Sequence, residues 1–562
     1  MTNDINYHHS TQKADTDVHH SFFTRSPGLA SSLPSMAPKK YPAKGQRTQP
    51  STKAGLDKSS AKPQPPKSKT AEPRTKGRAI STGHTATKPA KRKQAPAENH
   101  RAAGSGQPAQ KKTKSSRNVG ASESSLPKIN QAPTEALIIL AFGSGECGEL
   151  GLGVKRKAAL SPCLNTHLDP NDPSKFHVVQ LSCGGMHTVA LTADNRILTC
   201  GVNDEGALGR DTSWEGGVRD VDADSDDEDE SLNPHESTPN EVAQDSFPSG
   251  TKFVQVAAGD SCSFALTDTG LVYGWGSFRN PSGKKRFCYD SDGNIIQNQQ
   301  TPVLISKLQN ITQITCGANH ALALDKAGRI WGWGSFEQNQ LGSRPFGRYQ
   351  ETLLPREVRI CPSPIKYIAS GEYHSFAIDR RDNVWAWGLN SYGEAGYAKA
   401  AGSDSAVLPH PMKIRDLCHK GVIALDGGTH HSAAITADGQ CLVWGRMDGG
   451  QLGIDFSTKQ LEDSATIRRD EYNKPRICLR PTAVPDIGRV ASVGCGTDHT
   501  IFINQSGHGY STGFGTVGQL GLGTEDDEAV AKPLKGKQVK GKLLTWAGAG
   551  GQFSIVAAST RA

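Results

Sequence analysis

Histidine is the residue type in this chain whose spacing first invites a chemical reading. His187, His320, His374, His430, His431 and His499 recur through the sequence, and imidazole serves both as a zinc ligand and as a general base. Their placement argues against both roles. They recur at one point of a repeated phrase, not in the close pairs that ligate zinc, and regular recurrence of this kind indicates a structural hydrogen bond. The 12 cysteines are scattered without a CxxC pair. Cys183, Cys316 and Cys495 fall at equivalent points of the same phrase, so reduced, mostly buried thiols are expected, with neither a zinc site nor a disulfide framework. No phosphate-binding GxxxxGK[ST] loop is present, and no nucleophile is paired with a base. The reading is therefore a protein without metal, cofactor or covalent chemistry.

The phrase that carries the histidines defines the elements. A small-residue turn enters an apolar strand seven times: CGGMHTVAL from Cys183, AGDSCSFAL from Ala258, CGANHALAL from Cys316, SGEYHSFAI from Ser370, GGTHHSAAI from Gly427, CGTDHTIFI from Cys495 and GAGGQFSIV from Gly548. Six of these lead, through turns such as TADNR, TDTG, DKAG and NQSG, into a second strand that ends on a glycine opening a loop. A seventh ending, AFGSGECGELGLG, stands alone near residue 143. The glycines read as equivalent are 143, 201, 276, 334, 388, 445 and 515, at intervals of 58, 75, 58, 54, 57 and 70. Two strands joined by such turns are antiparallel hairpins, and about fifty residues per unit suffices for a four-stranded sheet. Seven sheets make a seven-bladed all-β propeller. The unpaired first half around Leu544–Ala557 and the unpaired second half at Ala136–Gly153 predict closure by pairing of N- and C-terminal strands, which removes both exposed edges and favours a monomer.

Composition divides the chain near residue 133. Residues 1–133 carry a formal charge of +17 and the remainder −9, which together give the net +8. The first segment is rich in Lys, Pro, Ser, Thr, Gln and Ala and poor in large apolar residues, so it is expected to be a disordered basic tail. Residues 134–562 are expected to form the propeller, with an acidic insertion at 219–232 that reads as a disordered loop. The longest apolar run, Ala136–Phe142, has the length of a buried strand, and the polar start lacks a signal-peptide core, so neither membrane insertion nor secretion is expected. KPAKRK, containing Lys91, Arg92 and Lys93, and KKTK, containing Lys111 and Lys112, look like nuclear-import signals for an import receptor. The spread of lysine without aromatic interleaving suits non-specific, salt-sensitive contact with DNA phosphates in the nucleus.

These repeats resemble those of the regulator of chromosome condensation family from Thr134 to the C-terminus. The stretch from Cys183 to Ser213 is similar to the namesake guanine nucleotide exchange factor rather than to proteins that only borrow its propeller. GSFRNPSGKKRF, from Gly276 to Phe287, matches the position and type of the β-wedge, an insertion at 277–289 that this exchange factor presses into the nucleotide site of the GTPase Ran. The resemblance implies GDP release and GTP loading on a Ran-type GTPase at chromatin, supporting nucleocytoplasmic transport and mitosis. It places partner-facing roles on Glu146, His187, Asp260, Asn319, Arg344 and His430, and a wedge tip on Arg279, Asn280, Ser282, Gly283, Lys284 and Lys285. Asp260 is the foremost of these, because a carboxylate there could compete for the cations that hold phosphate and Mg²⁺. Arg344 and Arg348 fall where the family uses an arginine loop on the nucleosome's acidic patch, a task suited to the planar guanidinium. The chain departs from the family at Asn319, where Asp is expected, and at Phe553, where His is usual. Fold alone does not fix function, so a propeller scaffold or a chromatin-binding protein without exchange activity remains the alternative. A light sensor of this fold would need clustered tryptophans, which are absent.

Overall fold

The computed structural model describes residues 126–215, 231–280, 282–343, 352–360, 363–399, 401–403 and 406–560. Lys91, Arg92, Lys93, Lys111, Lys112, Arg344, Arg348 and nearly all of the acidic insertion lie outside these residues.

The innermost strands Val178–Cys183, Phe253–Ala258, Ile311–Cys316, Ile365–Ser370, Val422–Gly427, Val490–Cys495 and Leu544–Ala549 define blades 1 to 7. Each heads an antiparallel sheet of four strands, five in blade 5. The second strands of blades 1 to 6, such as His374–Asp379, are buried at every residue. Neighbouring strands cover their edges and adjacent blades cover both faces, so the alternation expected of a half-exposed strand disappears and the segment reads as a continuous apolar run.

Closure occurs as the sequence predicts. Leu137–Ser144 pairs antiparallel with Phe553–Ser559, from Leu137 opposite Ser559 to Gly143 opposite Phe553. Blade 7 is thus two C-terminal inner strands and two N-terminal outer strands. Contacts extend upstream of residue 134. The Lys128 ammonium lies 3.0 Å from Asp268, and the Asn130 side chain donates to the carbonyls of Thr267 and Ile311 at 3.0 and 2.8 Å.

Each third strand has, as its last or next-to-last residue, a glycine with φ between 94° and 110°. At Gly388 a Cβ would stand 2.6 Å from the Tyr373 carbonyl oxygen, so both backbone angle and space require glycine. Pairing corrects one assignment. Gly513, opposite His499, is the equivalent residue in blade 6, and the last interval is 68, not 70. In the run Gly-Phe-Gly either glycine satisfies the pattern, and only the ladder distinguishes them.

The histidines explain how blades are joined. His187 Nε2 meets Ser263 Oγ of the next blade at 2.8 Å, and the pattern repeats for His320 with Ser375, His374 with Ser432, His431 with Thr500 and His499 with Ser554, at 2.7–2.9 Å. Each of those hydroxyls donates onward to a loop carbonyl of the preceding blade, as Ser432 does to Glu394 O at 2.9 Å. Burial pushes the imidazoles down, to about 4 for His187 and His499 and about 3 for the other three, so they are neutral hydrogen-bonding parts. Cys262 and Phe553 occupy this position in blades 2 and 7. All eleven described cysteines are free, with Cys200, Cys262, Cys441, Cys478 and Cys495 buried.

Candidate functional site

The turns between first and second strands and the loops after the third strands share one end of every blade, because His187 opposite Gly201 and its equivalents bring both to the same face. An axial channel of about 800 Å³ opens there. Gln180, Gln255 and Gln313 stitch its wall, each side chain both accepting from and donating to the backbone of the next blade's inner strand. Glu149, Asp260, Glu372 and Asp426 line the channel, and none of the described side chains lining it is basic.

Desolvation holds these carboxyls above their usual range. Asp260 is pushed up to about 6, by burial first and by Glu372 second. Asp426 is pushed up to about 7 by burial. Glu372 is raised by burial although Thr497 Oγ1 donates to it at 2.8 Å. Asp260 occupies the turn of blade 2, its backbone N–H donating to Ala318 O at 2.8 Å. It is only partly accessible at the channel mouth.

The other predicted residues separate into distinct environments. Glu146 is exposed on its loop. His187 is 1% exposed and committed to Ser263, so its placement on the partner face is corrected. In the phrase CGGMH the residue on the face is the one before the histidine. His430 stands at that preceding position in blade 5, and His431 is the buried one. His430 packs on the Tyr392 ring at 4.6 Å between centroids, with Nδ1 3.5 Å from Glu394. Asn319 is 9% exposed, and its Oδ1 accepts from the Arg279 backbone N–H at 2.6 Å. It therefore positions the insertion of blade 2 and is not itself a contact surface.

That insertion is a pair of hairpins. Phe278–Arg279 pairs with Lys285–Arg286, and Cys288–Tyr289 with Ile295–Ile296. Phe278 and Phe287 stack at 5.7 Å and anchor the first hairpin against Phe264 of the blade. Asn280 closes its turn: Oδ1 accepts from Lys284 N and Ser282 Oγ, both at 2.8 Å. Ser282, Gly283 and Lys284 are exposed. Gly283 has φ 75° and open space around it. Arg279 and Lys285 are instead tied to Glu205, a residue the sequence reading missed.

Gly509–Gly513 satisfies a GxSxG pattern, which corrects the expectation that the sequence contains none. Ser511 lies within a strand, fully buried, and donates to Leu520 O at 2.7 Å. It has none of the exposure that a nucleophile elbow requires.

Residues 138–556 match the sequence profile of the RCC1-like domain. The guanine nucleotide exchange factor SRM1 of Saccharomyces cerevisiae is 37% identical over 456 residues, 79% of this chain and 91% of the relative. The crystal structure of Prp20p from the same yeast, described with its binding properties to Gsp1p and histones, superposes with a TM-score of 0.68 at 34% identity, covering 77% of this chain and 93% of that one. A structure of Kap60 bound to yeast RCC1 (Prp20) superposes with the same TM-score at 33% identity, covering 77% and 90%. Repeat, closure, blade-2 insertion and these likenesses agree: the chain belongs to the regulator of chromosome condensation family.

Proposed function

We propose that this protein is a chromatin-associated guanine nucleotide exchange factor for a Ran-type GTPase, and that the first hairpin of blade 2 is its exchange element. The observation that supports this most is the asymmetry of the face. A polar, glycine-containing tip stands on one blade, beside an acidic channel mouth with no basic side chain among its described lining residues. Such a tip can enter a phosphate site, and Asp260 at the mouth can draw the lysine or Mg²⁺ charge that holds the phosphates.

No covalent step is needed. A protein that binds the nucleotide-free GTPase tightly weakens nucleotide binding by the same factor. The ratio of GTP to GDP then decides what enters the emptied site. The buried, neutral histidines take no part. The basic tail, with Lys91, Arg92, Lys93, Lys111 and Lys112, would bind an import receptor and DNA, and the loop of Arg344 and Arg348 would contact the nucleosome. Nucleosome pull-down with both arginines changed to Glu tests the latter, and undiminished capture would exclude it.

The direct test is release of fluorescent GDP from Ran by catalytic amounts of the protein. Multiple-turnover acceleration is expected. A folded protein that leaves the rate unchanged would favour a scaffold.

A further inference from the structure

Glu205 lies in the loop after the third strand of blade 1. The corresponding positions of the other such loops are Cys147, Gln338, Tyr392, Gly449 and Val517. A carboxylate stands there only in the blade that precedes the hairpin. Its own loop does not need it. The other loops are braced internally, as where Gln340 Oε1 accepts from Gln338 N at 2.9 Å. In the loop of Glu205, Asn203 does this work by accepting from Leu208 N at 2.9 Å.

The Glu205 side chain is 3% exposed, yet every donor it meets among the described residues belongs to blade 2. Ser277 Oγ and the Arg279 guanidinium donate to it, and the Lys285 ammonium lies 3.4 Å away. Arg279 and Lys285 face each other across the base of the hairpin, so one buried carboxylate grips both strands. From the opposite side, blade 3 holds the same base: Asn319 Oδ1 accepts from Arg279 N at 2.6 Å and Ser335 Oγ donates to Arg279 O at 2.8 Å. A hairpin of two residue pairs cannot hold its own orientation in water. An exchange element free to swing would lose ordering entropy each time it entered the partner.

We propose that Glu205 is the positioning residue of the exchange hairpin: from the neighbouring blade it fixes the angle at which the tip of Asn280 to Lys284 stands on the face, and so sets the rate of nucleotide displacement. This rests on the proposed reading of the hairpin.

The test measures labelled-GDP release from Ran by full-length Glu205→Gln, with kcat and KM separated, alongside hydrogen exchange of the hairpin amides. Expected are a kcat lower by about ten- to a hundredfold, a KM within about twofold, an unchanged Tm and faster exchange at Arg279 to Arg286. The variant Arg279→Gln/Lys285→Gln, altered from the solvent side, should show the same loss, and adding Glu205→Gln should cost little more. Should Glu205→Gln lower Tm, the double variant decides. A wild-type kcat in the deciding variant, or losses that simply multiply, overturns the proposal. Shortening the hairpin separates the two levels. A shortened protein that still exchanges fully refutes the hairpin reading. Loss on shortening beside a wild-type Glu205→Gln removes only Glu205.

Discussion

The ring of inter-blade histidines and the corner between blades 1, 2 and 3 are built from the same loops and follow opposite rules. In the ring, one bond recurs five times, His to Ser or Thr, with near-identical lengths and complete burial. At the corner the same loop position carries a carboxylate once, and that carboxylate reaches out of its own blade to hold the hairpin insertion of blade 2. Repetition maintains the fold. Departure from it at Glu205, Asp260 and Asn319 marks the corner where the proposed exchange element stands.

The comparison is broken most severely by shortening Arg279 to Lys285. Exchange on Ran should fall more than about a hundredfold while Tm stays within about 2 °C, because the tip contributes nothing to the ring. The converse change is His374→Ala, which removes a buried ring and strands the Ser432 hydroxyl. Chemical denaturation should register a loss of about 3 kcal/mol, with exchange per folded molecule unchanged. Loss of exchange at full stability would show that ring and face are coupled.

Asp260→Asn should lower exchange by about tenfold. With its carboxyl held near 6, the unmodified protein should lose exchange as pH falls through 6, and the variant should lack that step. A shared step would move the titration to the partner. The smallest effect concerns Asp426, raised to about 7. The folded state keeps its proton where the unfolded chain has already ionised, so between about pH 4 and 7 rising pH costs stability, and above 7 the cost is complete. Asp426→Asn should therefore stabilise the fold at pH 8 and not near pH 4, read from melts at both values. Equal melts at pH 8 would place the Asp426 titration lower.

The propeller was readable because its signals are local: turn residues, apolar runs and a fixed period survive in any stretch of sixty residues. The errors fall where only pairing decides. Spacing alone does not separate Gly515 from Gly513, because the two glycines flank one phenylalanine. The family resemblance places His187 on the face, and position along a motif does not reveal that the preceding residue, Met186 here and His430 in blade 5, is the outward one. Glu205 went unseen because its partners lie more than seventy residues away. A signal did exist: among aligned loops it is the one carboxylate at its position, and the next blade carries the GSFRNPSGKKRF insertion.

Closure through Leu137–Ser144 has a mechanical consequence. That strand lies between Phe553–Ser559 and Ala158–Leu164, and a pull on the chain upstream of it acts along the strand axis. The ladder bonds are then loaded together, in shear, and do not unzip one after another. Lys128 and Asn130, fastened to blade 2 and the start of blade 3, would take the strain first. With the basic tail holding DNA as proposed, the tethered domain is secured at the seam that closes the ring.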